Sequence, residues 1–450
     1  MNIKEKSSLD KNLIKRSTNN NGITLIALVL TVVIIVILAA VTVNVVLRGG
    51  LIERAKSSVD ITASAMEEEQ EFLDGVVDKY INSTGDDEQG GDTGDGGDDE
   101  EPEVPIEDAV ARIDTTYYAT LQNAINAVPE GNVETNVYLL KTINENTTVP
   151  ANKSIILDLD SNTINNNGNQ EIMNIQGTIK ITGGTIDIPN SGAFANRTGA
   201  TATISGGTLK SQNSGNTLLN EENATLTISD TAEILSTVSG MPALGNDGNL
   251  TITGGKVEAA SSNAIRNDLG SITISGGIIQ TLNSSHTIYN NTDGFIEIGG
   301  TAQILSPQAN YANINNWGEM NITGGTITSQ NSNALVNEVG ATMRISGGRI
   351  ESSSTDTNTV YNETDATMEI SGTALITSSK DVSTYANLGT TTITGGTIES
   401  AISNAIINGN GGTLNVSGTA TITGGNYGIY NYSSGIVNIT GGNISSRYNC

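Results

Sequence analysis

The feature that most constrains this chain is a repeat. An Ile or Val followed by Thr/Ser-Gly or a close variant recurs at 181, 204, 228, 252, 274, 298, 322, 345, 370, 393, 416 and 439, at intervals of 22–25 residues. A period of that length defines a solenoid, a propeller or an array, because one unit cannot bury its apolar face without a neighbour. Within a unit the hydrophobic pattern has period two. In "LTIT" and "MNIT", Leu250 and Ile252, or Met320 and Ile322, alternate with polar residues. A second short strand follows the Gly pair, as in "TITS" with Ile327. A third ends in "NAI", "TIY" or "TVY", with Ile265, Ile288 or Val360 inward. Three strands of about four residues per unit, with no close antiparallel return and no crossover helix, predict an all-β fold: a parallel β-helix of about 12 repeated coils plus capping coils.

Asn closes the turn of nearly every coil. Asn196, Asn220, Asn267, Asn290, Asn337, Asn362, Asn408 and Asn431 are expected to form a ladder, each amide bonding its copy one coil away. Asn also tolerates the left-handed conformation that a sharp corner asks for. The Gly pairs supply the other corner. A longer period lies above the coil. A variant corner, "SDTAEIL", "GGTAQIL" or "SGTALIT" at Ser229, Gly299 and Ser371, is about one residue longer and marks every third coil. In the last unit, "SGTATIT" at Ser417 comes one coil early. Units therefore begin near 181, 252, 322 and 393, the pattern left by duplication of a three-coil block of about 71 residues.

The segments before the repeats read differently. Residues 1–22 carry five Lys/Arg against two acids, a basic leader, and residues 23–47 run without a charge. Twenty-five residues at about 1.5 Å each exceed a ~30 Å hydrocarbon core, so this segment is expected to span a membrane once. The basic flank places the N-terminus in the cytoplasm and the remainder outside. Residues 48–82 form an expected helical stalk, with Phe72, Val76 and Ile81 on an apolar stripe. Residues 83–108 are an acidic, Gly-rich linker with 12 acids and no base from Asp86 to Asp108. Like charge and low hydrophobicity keep such a segment solvated, and it lacks the acid spacing of a calcium loop.

"G-ITLIALVL", Gly22 to Leu30, resembles the prepilin (class III) signal, and "GGLIERAK", Gly49 to Lys56, resembles the downstream segment of pilin-like proteins of Gram-positive bacteria. The resemblance implies cleavage after Gly22, methylation of Ile23, and other pilin-like subunits as partners. Ala27 stands where most assembling pilins carry Glu.

Residues 109–180 should provide a cap and the first coils. "YYATLQNAINAVPEG", residues 117–131, predicts an amphipathic helix with Leu121, Ala124, Ile125 and Val128 on one face. A strand follows with Leu157 and Leu159 inward and Asp158 and Asp160 outward. This entry, with the coils of 181–450, resembles the pectate-lyase-like right-handed β-helix. The chain ends within a coil without a capping helix. That predicts an edge open to another chain, which Cys450 could cross-link, or a truncated copy.

A net charge of −27 disfavours nucleic acid as a partner. A single His (His286) and a single Cys argue against a thiolate zinc site, the Asp158/Asp160 pair reads as a solvated face, and no metal or cofactor is expected. Some proteins on the resembled fold cleave polysaccharides, which would need converging acids. The first-strand outward column reads Thr227, Thr251, Thr273, Glu297, Asn321, Arg344, Glu369, Thr392. The pattern predicts no column with adjacent acids, and His286 lies alone in a turn. The expected function is therefore non-catalytic: a membrane-anchored, surface-displayed adhesin or display module. Aromatic residues are scarce, yet Tyr289, Tyr311, Trp317, Tyr361, Tyr385 and Tyr430 fall in one region of the repeat. They are the candidates for stacking on an extracellular or cell-wall polysaccharide. A polysaccharide lyase or hydrolase, and a minor pilin-like subunit or pure spacer, are the alternative readings.

Overall fold

The computed structural model describes residues 104–165, 168, 170–189, 193–212, 215–237, 240–283 and 285–448. The expected leader, membrane span and stalk, with Gly22 and Ile23, lie outside the described residues, as does Cys450. Among the described residues no helix is long and apolar enough to cross a membrane.

The repeats wind into a parallel β-helix of about 13 turns, whose third strands alone form a 13-stranded sheet. Each turn offers period-two strands that pair in register with the turns before and after. Leu250–Ile272–Ile296–Met320–Met343–Met368 is one such stack of like on like. These side chains are all buried and fill the bore, so apolar burial and ladder hydrogen bonds act at the same positions. The Gly pair turns the first corner. Gly277 has φ +82°, and a Cβ there would come within 2.7 Å of the Gly254 carbonyl oxygen, so neither conformation nor space admits a side chain. In the longer variant corners, Asp230, Gly300, Gly372 and Gly418 take the positive φ. Ala232, Ala302, Ala374 and Ala420 are buried behind them.

The N-terminal cap departs from the sequence expectation. Helix α1 spans Leu121–Ala127, shorter than residues 117–131. Tyr117 and Tyr118 belong instead to a strand, β2 (Thr116–Tyr118). It pairs antiparallel with β1 (Ala111–Ile113), which also pairs antiparallel with β3 (Glu134–Leu139). So the cap does contain antiparallel returns, although the repeats do not. The apolar face of α1 is as expected, with Leu121, Ala124, Ile125 and Val128 buried. The Thr120 hydroxyl caps its start, and the Glu145 carboxylate accepts from Leu121 N and Gln122 N at 3.0 and 2.8 Å. At the other end the buried Lys153 Nζ donates to the Asn126 and Val128 carbonyls. The end of the expected linker is a turn, where Asp108 N and Ala109 N donate to the Pro105 carbonyl. Leu157 and Leu159 point inward, and the Asp158 carboxylate accepts from Asp160 N at 2.9 Å. That bond closes a turn in which Asp160 has φ +50°.

The Asn ladder is longer than expected and its residues do not sit in left-handed corners. Eleven Asn stack: Asn196, Asn220, Asn246, Asn267, Asn290, Asn316, Asn337, Asn362, Asn387, Asn408 and Asn431. Each Nδ2 donates to the next Oδ1 at 2.7–2.9 Å. They end the third strands, none has a positive φ, and all but Asn431 are buried. The second amide hydrogen reaches a carbonyl of the following turn, for instance Asn246 to Gly248 and Asn290 to Gly294, both at 3.1 Å. A buried amide is tolerated when its hydrogen bonds are satisfied, and repetition supplies that condition. The ladder begins at Asn196. Its coil neighbour is Ile175, so the Asn196 Oδ1 has no hydrogen-bond partner.

Candidate functional site

Two outward columns follow from this register. The residue before each ladder Asn points away from the core, giving Leu219, Gly245, Arg266, Tyr289, Asn315, Val336, Tyr361, Ala386, Ile407 and Tyr430 in successive coils. The residue after each ladder Asn hydrogen-bonds through its N–H to the preceding ladder Asn carbonyl. That stacks Glu221, Asp247, Asp268, Asn291, Trp317, Glu338, Glu363 and Leu388.

The stacking candidates separate in this frame. Tyr289, Tyr361 and Tyr430 share the first column three coils apart, about 14 Å from ring to ring by strand spacing. Tyr430 is exposed and packs edge-on against Tyr432, while Tyr289 and Tyr361 are half-buried. Burial, with Glu363 and Glu338 nearby, pushes the Tyr361 hydroxyl up. Tyr311 is exposed in the loop before its third strand, and Trp317 is half-buried in the second column. Tyr385 is a correction. It points inward at 0% exposure, with its hydroxyl on Thr391 Oγ1, and so offers no face to a ligand. Thr391 stands in the column of Met368 and Leu414, and the smaller side chain makes room for the larger one.

His286 is not alone either. Its ring lies 6.0 Å from Tyr289 and 5.4 Å, edge-on, from Tyr311, and its Nδ1 is 2.8 Å from the Ala312 carbonyl oxygen. Burial lowers its pKa, so the imidazole is neutral at pH 7 and Nδ1 donates that bond. The Arg266 guanidinium stands 5.7 Å over the Tyr289 ring.

The first-strand outward column is as read from the sequence. Arg344 bridges Glu319 and Glu369 on an exposed surface, the latter at 3.4 Å. The expectation that no column carries adjacent acids does not hold, because Glu221, Asp247 and Asp268 are consecutive in the second column, as are Glu338 and Glu363. Their surroundings differ. Glu221 meets Arg197 at 2.5 Å, and Asp268 takes both of its oxygens to Arg266 Nε at 3.0 and 2.9 Å. Asp247, between them, forms no ion pair with any described residue. Burial first, and then the Asp268 carboxylate, push its pKa above the ordinary value. Burial and Glu363 raise Glu338 in the same way, against a 2.9 Å bond from Asn315 Nδ2.

Asp247 borders a cavity of about 250 Å³. Gly245 lines this notch where the neighbouring coils place Leu219 and Arg266, and the Asn216 amide lies 2.8 Å from where a Cβ at Gly245 would stand. A groove of about 450 Å³ along the second strands holds Glu351 and Glu399, each already paired, to Arg349 and Arg447. A recess of about 730 Å³ lies at the cap against Tyr117 and Tyr118. Among the described residues no three His, Cys, Asp or Glu side chains converge as a metal ion would require. The fold thus defines a class, a parallel β-helix protein of about 13 turns with a polar–aromatic outer face. No protein-family model, curated protein or solved structure matches the chain.

Proposed function

We propose that the chain is a surface-displayed, membrane-anchored β-helix that binds polysaccharide without cleaving it. The observation that carries this reading is the placement of Tyr289, Tyr361 and Tyr430 at every third position of one outward column. A rigid row of aromatic rings about 14 Å apart suits an extended sugar chain laid along the solenoid axis. A net charge of −27 favours neutral or cationic glycans over anionic ones. The basic leader, the apolar run of 23–47 and the acidic linker supply the anchor and the spacer, and the pilin-like resemblance makes other pilin-like subunits the partners of that anchor.

The full chain, passed over a panel of immobilised cell-wall polysaccharides, is expected to be retained without product release. Retention should be lost when Tyr289, Tyr361 and Tyr430 are all changed to Ala. New reducing ends or unsaturated products would sink the non-catalytic part. One observation favours that second reading, a glycoside hydrolase. Asp247 is held toward its protonated form one coil from the ion-paired Asp268, a division that acid–base pairs of carboxylates use. Absence of both retention and products would leave a spacer.

A further inference from the structure

We infer that the notch at Gly245 is a binding pocket for one amino-sugar unit, its ammonium group held by Asp247 and its chain continuing over the Tyr289 ring. The inference deepens the glycan-binding reading above and rests on it for the class of ligand.

The argument begins with shape. Third-strand outward side chains stand on either side, Leu219 in one coil and Arg266 two coils on, while Gly245 between them has none, and the Asn216 amide leans in to 2.8 Å from where its Cβ would stand. The resulting cavity of about 250 Å³ is smaller than the ~300–1,000 Å³ of sites for larger organic ligands, which suits a single sugar ring. Leu219 and Met241 give it an apolar wall, and Met241 is 40% exposed. Asn216, Asn263, Arg266 and Asp268 provide donors and acceptors around the rim, the mixture that hydroxyl-rich rings require. The buried Asn216 Oδ1 has no hydrogen-bond partner.

Charge then selects the sugar. The two carboxylates flanking Asp247 in its column have cations of their own, Arg197 for Glu221 and Arg266 for Asp268. Half-buried Asp247 forms no ion pair among the described residues. The Arg266 guanidinium is near enough to pull its pKa down in part but is engaged by Asp268, so the cavity lining of Asp247, Asp268 and Arg266 is left with one more carboxylate than cation. A ligand ammonium would supply the missing counter-ion, whereas a uronate would add a further anion to a crowded place. The link between the cavity and the aromatic patch is Arg266. Arg266 lines it and stands over Tyr289, which contacts His286 and, through it, Tyr311. A basic peptide would satisfy Asp247 but gives no reason for a cavity of about 250 Å³ with an apolar wall and a rim of amides. A sugar ring accounts for both.

The test titrates the full chain calorimetrically with oligomers of β-1,4-linked glucosamine, their N-acetylated counterparts, uronate oligomers and oligolysine. The expected order is glucosamine first, the N-acetylated form at least about tenfold weaker, and no heat from the uronate. Asp247→Asn should weaken glucosamine binding by at least about tenfold. Gly245→Leu, which carries the side chain of the preceding coil and must push the Asn216 amide into the cavity, should abolish it, and denaturation midpoints would show both variants folded. Should Gly245→Leu not fold, Asp247→Asn alone decides the matter. Equal binding of amine and N-acetyl forms, an unaffected Asp247→Asn variant, or oligolysine binding as tightly as glucosamine would each overturn the pocket. If polysaccharide is retained through the Tyr column while glucosamine oligomers do not bind, the pocket falls and the display reading stands. If they bind through Asp247 but no polysaccharide is retained, the display reading falls and the pocket stands.

Discussion

The two faces of the third strands obey opposite rules. Inward and at the strand end, coil after coil repeats the same residue, Asn, because each amide takes its partner from its own copy one turn away. Outward, one pleat position earlier, the same strands carry Leu219, Gly245, Arg266, Tyr289 and Asn315 in succession, five different chemistries in five turns. Uniformity marks a column whose members bind each other. Variation marks one whose members do not bind their own copies, as Arg266 turns to Asp268 and Asn315 to Glu338, and here the variation has its own three-coil rhythm in Tyr289, Tyr361 and Tyr430.

The contrast can be broken by substitutions on either face. The largest effect is expected inside. Asn290→Leu leaves the Asn316 Oδ1 without its donor and removes the acceptor of Asn267 Nδ2, a cost on the order of 2–4 kcal/mol in chemical denaturation. A variant as stable as the parent would mean that the ladder is incidental to the fold. Tyr385→Phe keeps the volume and removes the hydroxyl from Thr391, with an expected loss of about 1 kcal/mol. Thr391 retains its 2.7 Å bond to Asn387 Oδ1, which limits the damage.

On the outer face the effects shrink and one changes sign. The fold holds Asp247 above its ordinary pKa, so this group stabilises the folded state relative to the unfolded one only while protonated. Its favourable contribution is present in acid and is lost as pH rises through the raised value. Asp247→Asn should therefore raise the melting temperature slightly at pH 7 and leave it unchanged or lower at pH 3. A loss at pH 7 would show that the carboxylate has a structural partner. Smallest of all, Arg344→Ala should change stability by no more than about 0.5 kcal/mol, since both ion pairs it breaks are exposed.

The same contrast explains what could be read from the sequence. Coil period, inward strand residues and the first-strand outward column follow from alternation alone, and the structure reproduces them. Eight ladder positions were legible from spacing, but Asn246, Asn316 and Asn387 were not. Asn246 and Asn316 follow longer variant corners and lie 18 residues after the preceding motif residue against 15–17 elsewhere, whereas Asn387, also after such a corner, lies 17 after Ile370 as Asn362 does after Ile345. Their own signal is a Gly two residues on, as in Asn246-Asp247-Gly248, because the ladder amide also bonds that Gly carbonyl in Asn246, Asn316 and Asn387. These three positions fix more than the ladder. Without Asn387 the pleat of its strand has no reference, so the inward direction of Tyr385, two residues earlier, is not legible. Without Asn246, Asp247 could not be seen between Glu221 and Asp268. The Gly245 notch was hidden by the same gap.

Because every ladder amide donates in one direction along the stack, the column has a sense, like a row of arrows. A growing stack always presents a free donor at its leading turn, and only a turn bringing its Asn in the same orientation and register can accept it. Lengthening by whole three-coil blocks preserves that sense. A block inserted out of phase would strand an acceptor, as Asn196 is stranded at the origin. The rod can therefore change its reach by steps of about 14 Å, each carrying one more copy of the outer pattern, without renegotiating how its interior holds together.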